Sequence, residues 1–151
     1  MNVDTKWRTH PDVSTVPVEQ WHGHPSVAEL YCLAICHKRG IRTLRDLRAS
    51  HIPMLKEIYQ RGVQTIGEVY GVAEDQLRVF VHYMPQFYHF HVHFTRLNNT
   101  IGVEVERAHL LQDVVQNLEQ DDEFYLKRTI QFRLRTTDAL LGAFTQEEFA
   151  G

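Results

Sequence analysis

The chain has 151 residues, 43% hydrophobic and 23% charged, a balance that argues against wholesale disorder and suits one domain around one core. Sixteen Lys and Arg against nineteen Asp and Glu give a net charge of -3, which argues against broad, non-specific binding to a nucleic-acid backbone but leaves room for a local basic pocket. Apolar runs span only a few residues and Met1 is followed by polar ones, so neither a membrane span nor an export leader is expected. The two cysteines, Cys32 and Cys36, lie four apart in a strand-like run, where a disulfide between them is geometrically awkward. A reduced, intracellular setting follows, cytoplasmic and also nuclear.

Residues 1–7 read as a short strand in which Asp4 and Lys6 share a face. Residues 8–26 are rich in Pro, His, Thr and Gly without a period and read as a long loop. Residues 30–36 form a short apolar run ending at Lys38-Arg39-Gly40, the pattern of a buried strand. A long helix follows, with Ser50 as cap and Pro53 in its first turn. Ile52, Leu55, Ile58, Tyr59, Val63, Ile66, Val69 and Tyr70 recur at spacings of three and four before Gly71.

Residues 77–84 alternate as a strand, 85–87 interrupt, and 88–95 alternate again, which predicts a hairpin. Residues 98–102 read as a loop. Ala108, Leu111, Val114, Val115 and Leu118 predict a second helix over 105–118, with Glu106 and Arg107 near its start. Alternation over 129–135 predicts a further strand, and Thr137-Asp138 a cap for a short terminal helix. The expected fold class is α+β, an antiparallel sheet with a long packed helix, as a single domain over 1–151 carrying the 8–26 loop.

Chemistry concentrates in Tyr88-His89-Phe90-His91-Val92-His93-Phe94-Thr95. On a strand, the period of two sends His89, His91 and His93 to one face and Phe90, Val92 and Phe94 to the other. Three adjacent imidazoles repel one another when protonated, so a purely structural strand has little reason to carry them. They can hold a zinc ion with a position open for water. Alternatively, the central His91 can attack phosphorus through one ring nitrogen while the other is held by an acceptor. Spacing alone leaves both open. His22 and His24 flank Gly23 without a further ligand cluster and read as loop histidines, His37, His51 and His109 as structural or exposed ones, and the acidic stretch 119–123 as a solvated connection.

The His-apolar-His-apolar-His-apolar pattern resembles the histidine-triad family. The segments Asp4-Thr5-Lys6-Trp7, Leu33-Ala34-Ile35-Cys36-His37-Lys38-Arg39-Gly40, Leu44-Arg45-Asp46-Leu47, His82-Tyr83-Met84-Pro85 and Val105-Glu106-Arg107-Ala108-His109-Leu110-Leu111 are similar to its scavenger mRNA decapping branch, in the right order over most of the chain. The resemblance implies a hydrolase, free of metal or other cofactor, that cleaves the phosphoanhydride of 7-methylguanosine cap remnants and releases 7-methylguanosine monophosphate. It implies that His91 is the nucleophile, that His89 and His93 flank it and help the leaving phosphate depart, and that His82 is a further pocket histidine. Lys6 and Arg107 match phosphate-binding positions, and Asp4 an acidic position toward the ribose. Gln86 and Phe87 stand where the family tends to have a hydroxyl-bearing pair; Gln86 can still donate to a phosphate, and Phe87 cannot.

The implied partners are a capped dinucleotide or short capped RNA fragment and a second copy in a homodimer. Family members carry an N-terminal lobe that stacks an aromatic residue on the methylated base. The 8–26 loop is expected to be an ordinary mobile insertion, the alternative being that it replaces part of that cover with Trp21 as the stacking residue; a separate chain is the other candidate source of the lobe. The alternative activities are hydrolysis of dinucleoside polyphosphates or phosphoramidates, or cap binding with little turnover.

Overall fold

The computed structural model describes residues 2–3, 16–138 and 140–142. Strand β1 (Asn2–Val3) pairs with β2 (Tyr31–Ile35), and β2 with β4 (His91–Arg96); β4 pairs with β3 (Leu77–His82), and β3 with β5 (Ala108–Leu110). Every pairing is antiparallel, in the order β1-β2-β4-β3-β5. The expected α+β class with an antiparallel sheet and a long helix is observed, and β4, which carries His91 and His93, takes the middle of the sheet.

Helix α1 (Ile52–Tyr70) runs as its three-and-four stripe predicts, burying Leu55, Gly62, Ile66 and Tyr70 and ending at Gly71, which takes the left-handed conformation at φ 68°. Its start differs from expectation. Ser50 sits in a preceding 3-10 turn, Ala49–His51, and His51 is the helix N-cap without a side-chain cap bond. The helix packs on the sheet face that carries Phe94. A Cβ at Gly62 would overlap the Phe94 ring, so this glycine sets how closely helix and sheet approach. The Val92–Phe94 side of β4 is thereby committed to the core, and the alternation of the strand leaves His91 and His93 to the other face.

Two expected elements are corrected. Helix α2 spans Leu111–Gln120 and buries Leu111, Val114 and Leu118, while 108–110 form strand β5. The partners Phe80↔Leu110, Val81↔His109 and His82↔Ala108 show the reason: the free edge of β3 offers backbone groups that a longer helix would leave unpaired. Residues 129–135 form no ladder among the described residues, although Ile130 is buried and Phe132 meets Tyr83 edge-on at 6.0 Å. Asp138 accepts from the Arg135 amide at 2.7 Å, and residues 140–142 are helical.

The part of the expected loop that is described, from residue 16, is also more ordered than its composition implies. It contains 3-10 turns at Val18–Gln20 and Pro25–Glu29, and between them Trp21 is only 5% exposed. The indole meets Tyr70 edge-on at 6.0 Å, and the His22 imidazole lies against Gly71, so this segment seals the end of α1. Both cysteines are buried. No helix among the described residues is long and apolar enough to cross a membrane.

Candidate active site

The hairpin that carries the histidines is shorter than the alternation of residues suggests. Strand β3 ends at His82, and the Tyr83 amide donates to the Arg107 carbonyl at 2.9 Å, one step beyond the His82↔Ala108 pair. Phe90, just ahead of β4, donates to the Ile41 carbonyl at 3.2 Å and accepts from the Cys36 amide at 2.9 Å. His89 therefore lies outside the ladder, a correction to the reading that put three imidazoles on one strand face. Its Nε2–H donates to the Cys36 carbonyl at 2.6 Å, tying the approach to β4 to the end of β2.

His91 opens β4 and is half-buried. Its Nδ1–H donates to the His89 carbonyl at 2.7 Å, which fixes the tautomer and leaves the lone pair on Nε2. No described residue bonds that Nε2. The ring therefore has one nitrogen anchored and the other presented, the state a nitrogen nucleophile needs.

His93 is 4% exposed and stacks on Phe80 at 5.0 Å with the planes 7° apart. Burial, with the neighbouring His82, His91 and Arg107 charges adding to it, holds its pKa down at about 2, so the ring is neutral at working pH. Its Nδ1 lies 2.6 Å from the Tyr31 hydroxyl, and its Nε2, also buried, has no hydrogen-bond partner among the described residues.

His82 completes the cluster, its ring centroid 4.2 Å from that of His93; the His91 ring lies 4.8 Å from His93. The register Phe80↔His93 sets this alignment, which a slip of one residue would destroy. Nε2–H of His82 donates to the Gly102 carbonyl at 2.6 Å, and burial lowers its pKa. Gly102 has φ +74°, and a Cβ there would sit 3.1 Å from the His82 ring, so the close contact requires glycine. The loop that presents Gly102 is pinned by buried Asn99, which donates to the Glu29 carbonyl at 2.7 Å and accepts from the Ile101 amide at 2.9 Å.

Arg107 is close enough to lower the pKa of both His82 and His93 and is held by the Met84 carbonyl at 3.3 Å. It lies before β5, not at a helix start, so its attraction for an anion comes from its own charge and fork of donors, without a helix terminus. Arg107, Gln86 and Tyr88 line a cleft of about 390 Å³ together with Phe132 and Arg133, a size that suits a nucleoside. Asp4 and Lys6 lie outside the described residues. Trp21 is buried against Tyr70, which corrects the alternative reading of it as a base-stacking side chain. Among the described residues no three His, Cys, Asp or Glu side chains are arranged as a metal site.

Sequence reasoning missed Tyr31, Asn99 and Gly102. The alternation of β2 signals a face for Tyr31, but its partner is 62 residues away.

Residues 4–109 match the family model described as "Scavenger mRNA decapping enzyme C-term binding". The chain is 50% identical over 133 residues to the m7GpppX diphosphatase of Bos taurus, covering 87% of this chain and 39% of that protein. It is 47% identical over 127 residues to the Homo sapiens m7GpppX diphosphatase (83% and 37%), and 37% identical over 128 residues to that of Caenorhabditis elegans (84% and 41%). The chain thus spans about two-fifths of the length of these curated relatives. With the histidines of β4, the pocket His82 and Arg107 on one cluster, and with this extent of match, the chain belongs to the scavenger mRNA decapping enzyme C-terminal family.

Proposed function

We propose that the protein hydrolyses the phosphoanhydride of 7-methylguanosine cap remnants on dinucleotides or short RNA fragments, through a covalent intermediate on His91. One observation carries this reading: Nδ1 of His91 is anchored on the His89 carbonyl at 2.7 Å, which presents Nε2 as the nucleophile. The names of the relatives, m7GpppX diphosphatase, support the substrate class.

In the first step the Nε2 lone pair attacks the phosphorus that bears 7-methylguanosine. The P–N bond forms, the bridging P–O bond breaks, and a nucleoside diphosphate or its RNA-linked equivalent leaves with the electron pair. Positive charge grows on the imidazole, and the His89 carbonyl stabilises it through the Nδ1–H bond. Water then attacks the same phosphorus, the P–N pair returns to Nε2, and one water proton passes to solvent, releasing 7-methylguanosine monophosphate. Arg107, with Gln86 at the cleft and Lys6, neutralises phosphate charge; Asp4 accepts from the ribose hydroxyls. His89 acts mainly by holding His91, since its own Nε2–H is engaged by Cys36.

The four-residue spacing of Cys32 and Cys36, awkward for a disulfide between them, supports a reducing compartment, the cytoplasm and also the nucleus. Two copies assemble as a homodimer, for which the exposed Val105 and Leu110 at and before the edge strand β5 supply apolar surface. Sedimentation at micromolar concentration tests that.

The activity is tested by incubating the protein with a methylated cap dinucleotide and resolving the products. Release of 7-methylguanosine monophosphate that falls on the order of a thousandfold or more in His91→Asn supports the proposal. No release by the unmutated protein, or comparable release by His91→Asn, overturns it.

A further inference from the structure

We propose that Tyr31 is a positioning residue that sets the tautomer of His93, so that the buried distal nitrogen of that ring carries a proton and donates into the phosphate site. The proposal rests on the hydrolase reading for the identity of the acceptor, but not for the tautomer itself.

Three observations carry it. The Tyr31 hydroxyl lies 2.6 Å from Nδ1 of His93, in an edge-on ring contact of 5.6 Å at 85°. His93 is 4% exposed, and its Nε2 is buried with no hydrogen-bond partner among the described residues. The ring itself cannot turn over to exchange its two nitrogens, because it is clamped in a near-parallel stack on Phe80 and flanked by His82 at 4.2 Å.

A neutral imidazole has one donor and one acceptor nitrogen. If Nδ1 kept the proton and donated to Tyr31, a bare lone pair on Nε2 would be buried on the face that also presents His91. Next to a phosphate, that lone pair repels. With the phenol donating to Nδ1, Nε2 becomes an N–H donor with the right polarity for a phosphate oxygen. A buried donor without a protein partner is destabilising, and an incoming phosphate oxygen relieves that penalty while charge builds on the leaving group. The interaction strengthens as the P–O bond breaks, so its effect falls on turnover more than on binding.

His82 shows the complementary device. Its Nε2–H is spent on the Gly102 carbonyl, so Nδ1 is the acceptor of that ring. The loop that supplies this carbonyl also lies against Tyr31, since a Cβ on Gly102 would be 3.4 Å from the Tyr31 hydroxyl. One loop and one phenol therefore place the proton on Nε2 in both pocket histidines, spent on a backbone carbonyl in His82 and left open in His93.

The test uses the whole protein labelled with ¹³C and ¹⁵N at histidine, with two-bond proton–nitrogen correlations reporting the tautomer of each ring. His93 is assigned by the signals missing from His93→Gln. The proposal expects His93 to be protonated at Nε2 in the unmutated protein and to gain a substantial Nδ1–H population in Tyr31→Phe, which keeps the ring and removes only the hydroxyl. It expects kcat on the cap dinucleotide to fall tenfold or more in Tyr31→Phe, with KM within about twofold. A His93 protonated at Nδ1 in the unmutated protein, or a tautomer unaltered by Tyr31→Phe, overturns it, as does an unchanged kcat. A protein inert toward cap dinucleotide sinks the hydrolase reading instead, and the tautomer data still decide the role of Tyr31.

Discussion

Acid should destabilise this fold through His93, and the effect can be sized. The folded pKa of about 2 compares with 6.5 for an unhindered histidine. The unfolded chain therefore binds a proton at His93 below pH 6.5 that the folded chain refuses, and the contribution of this ring to stability is complete above 6.5 and is lost progressively as pH falls toward 2. Between pH 7 and pH 5 this single group should lower the unfolding free energy by about 2 kcal/mol, the free energy of protonating the unfolded ring 1.5 units below its ordinary pKa. His82, His51 and His109 are also held below 6.5 by burial and add in the same direction. Urea unfolding at pH 7 and pH 5 for the unmutated protein and for His93→Gln isolates the His93 share, because the other histidines remain in both. The unmutated protein should lose about 2 kcal/mol more than the variant over that interval. Equal losses would mean that His93 is protonated in the fold, which would refute both its burial and its neutral role beside the nucleophile.

Other outcomes follow from single contacts. Gly62→Ala should cost about 1–3 kcal/mol in urea unfolding because its methyl group enters the Phe94 ring, and Phe94→Leu in the same chain should recover part of that loss. Trp21→Ala should cost about 3–5 kcal/mol by emptying a core position, while the milder Trp21→Leu should leave the ratio of methylated to unmethylated cap cleavage unchanged. A collapse of that ratio would return Trp21 to the base site. Arg107→Ala and Lys6→Ala should each reduce kcat/KM roughly ten- to a hundredfold, the equivalent of one charge-assisted contact of about 1.5–3 kcal/mol. Unchanged kinetics in both would put the phosphates elsewhere.

What could be read from the residues was what short-range periodicity encodes. The apolar run of β2, the stripe of α1 and the alternation through His91 and His93 are each decided by neighbours within a few positions, and each is observed. Elements that depend on distant partners were not legible. Residues 108–110 fit a helical stripe as well as a strand, and only the open edge of β3 decides for the strand. Residues 129–135 alternate like a strand but meet no ladder partner among the described residues. Trp21 lies in a Pro- and His-rich stretch that looks like solvent-facing loop, yet the end of α1 leaves space beside Tyr70 that the indole fills. At the site, the His-x-His-x-His spacing located the reactive residues and the family resemblance chose between a metal site and a nucleophile, but neither gave the geometry: His89 leaves the strand to bond Cys36, and the partners of His93 and His82 come from Tyr31 and Gly102, far away in the chain.

The central claim is that Nε2 of His91 forms a bond to phosphorus. Mixing the protein with a methylated cap dinucleotide for one turnover, quenching in alkali to preserve the acid-labile P–N bond, and sequencing the peptides by mass spectrometry tests it directly. The account predicts a 7-methylguanosine monophosphate adduct on the peptide containing His91, mapped to that ring, which forms and decays at rates compatible with turnover and is absent from His91→Asn. Steady product release with the adduct on another residue, or by His91→Asn at the unmutated rate, would contradict it.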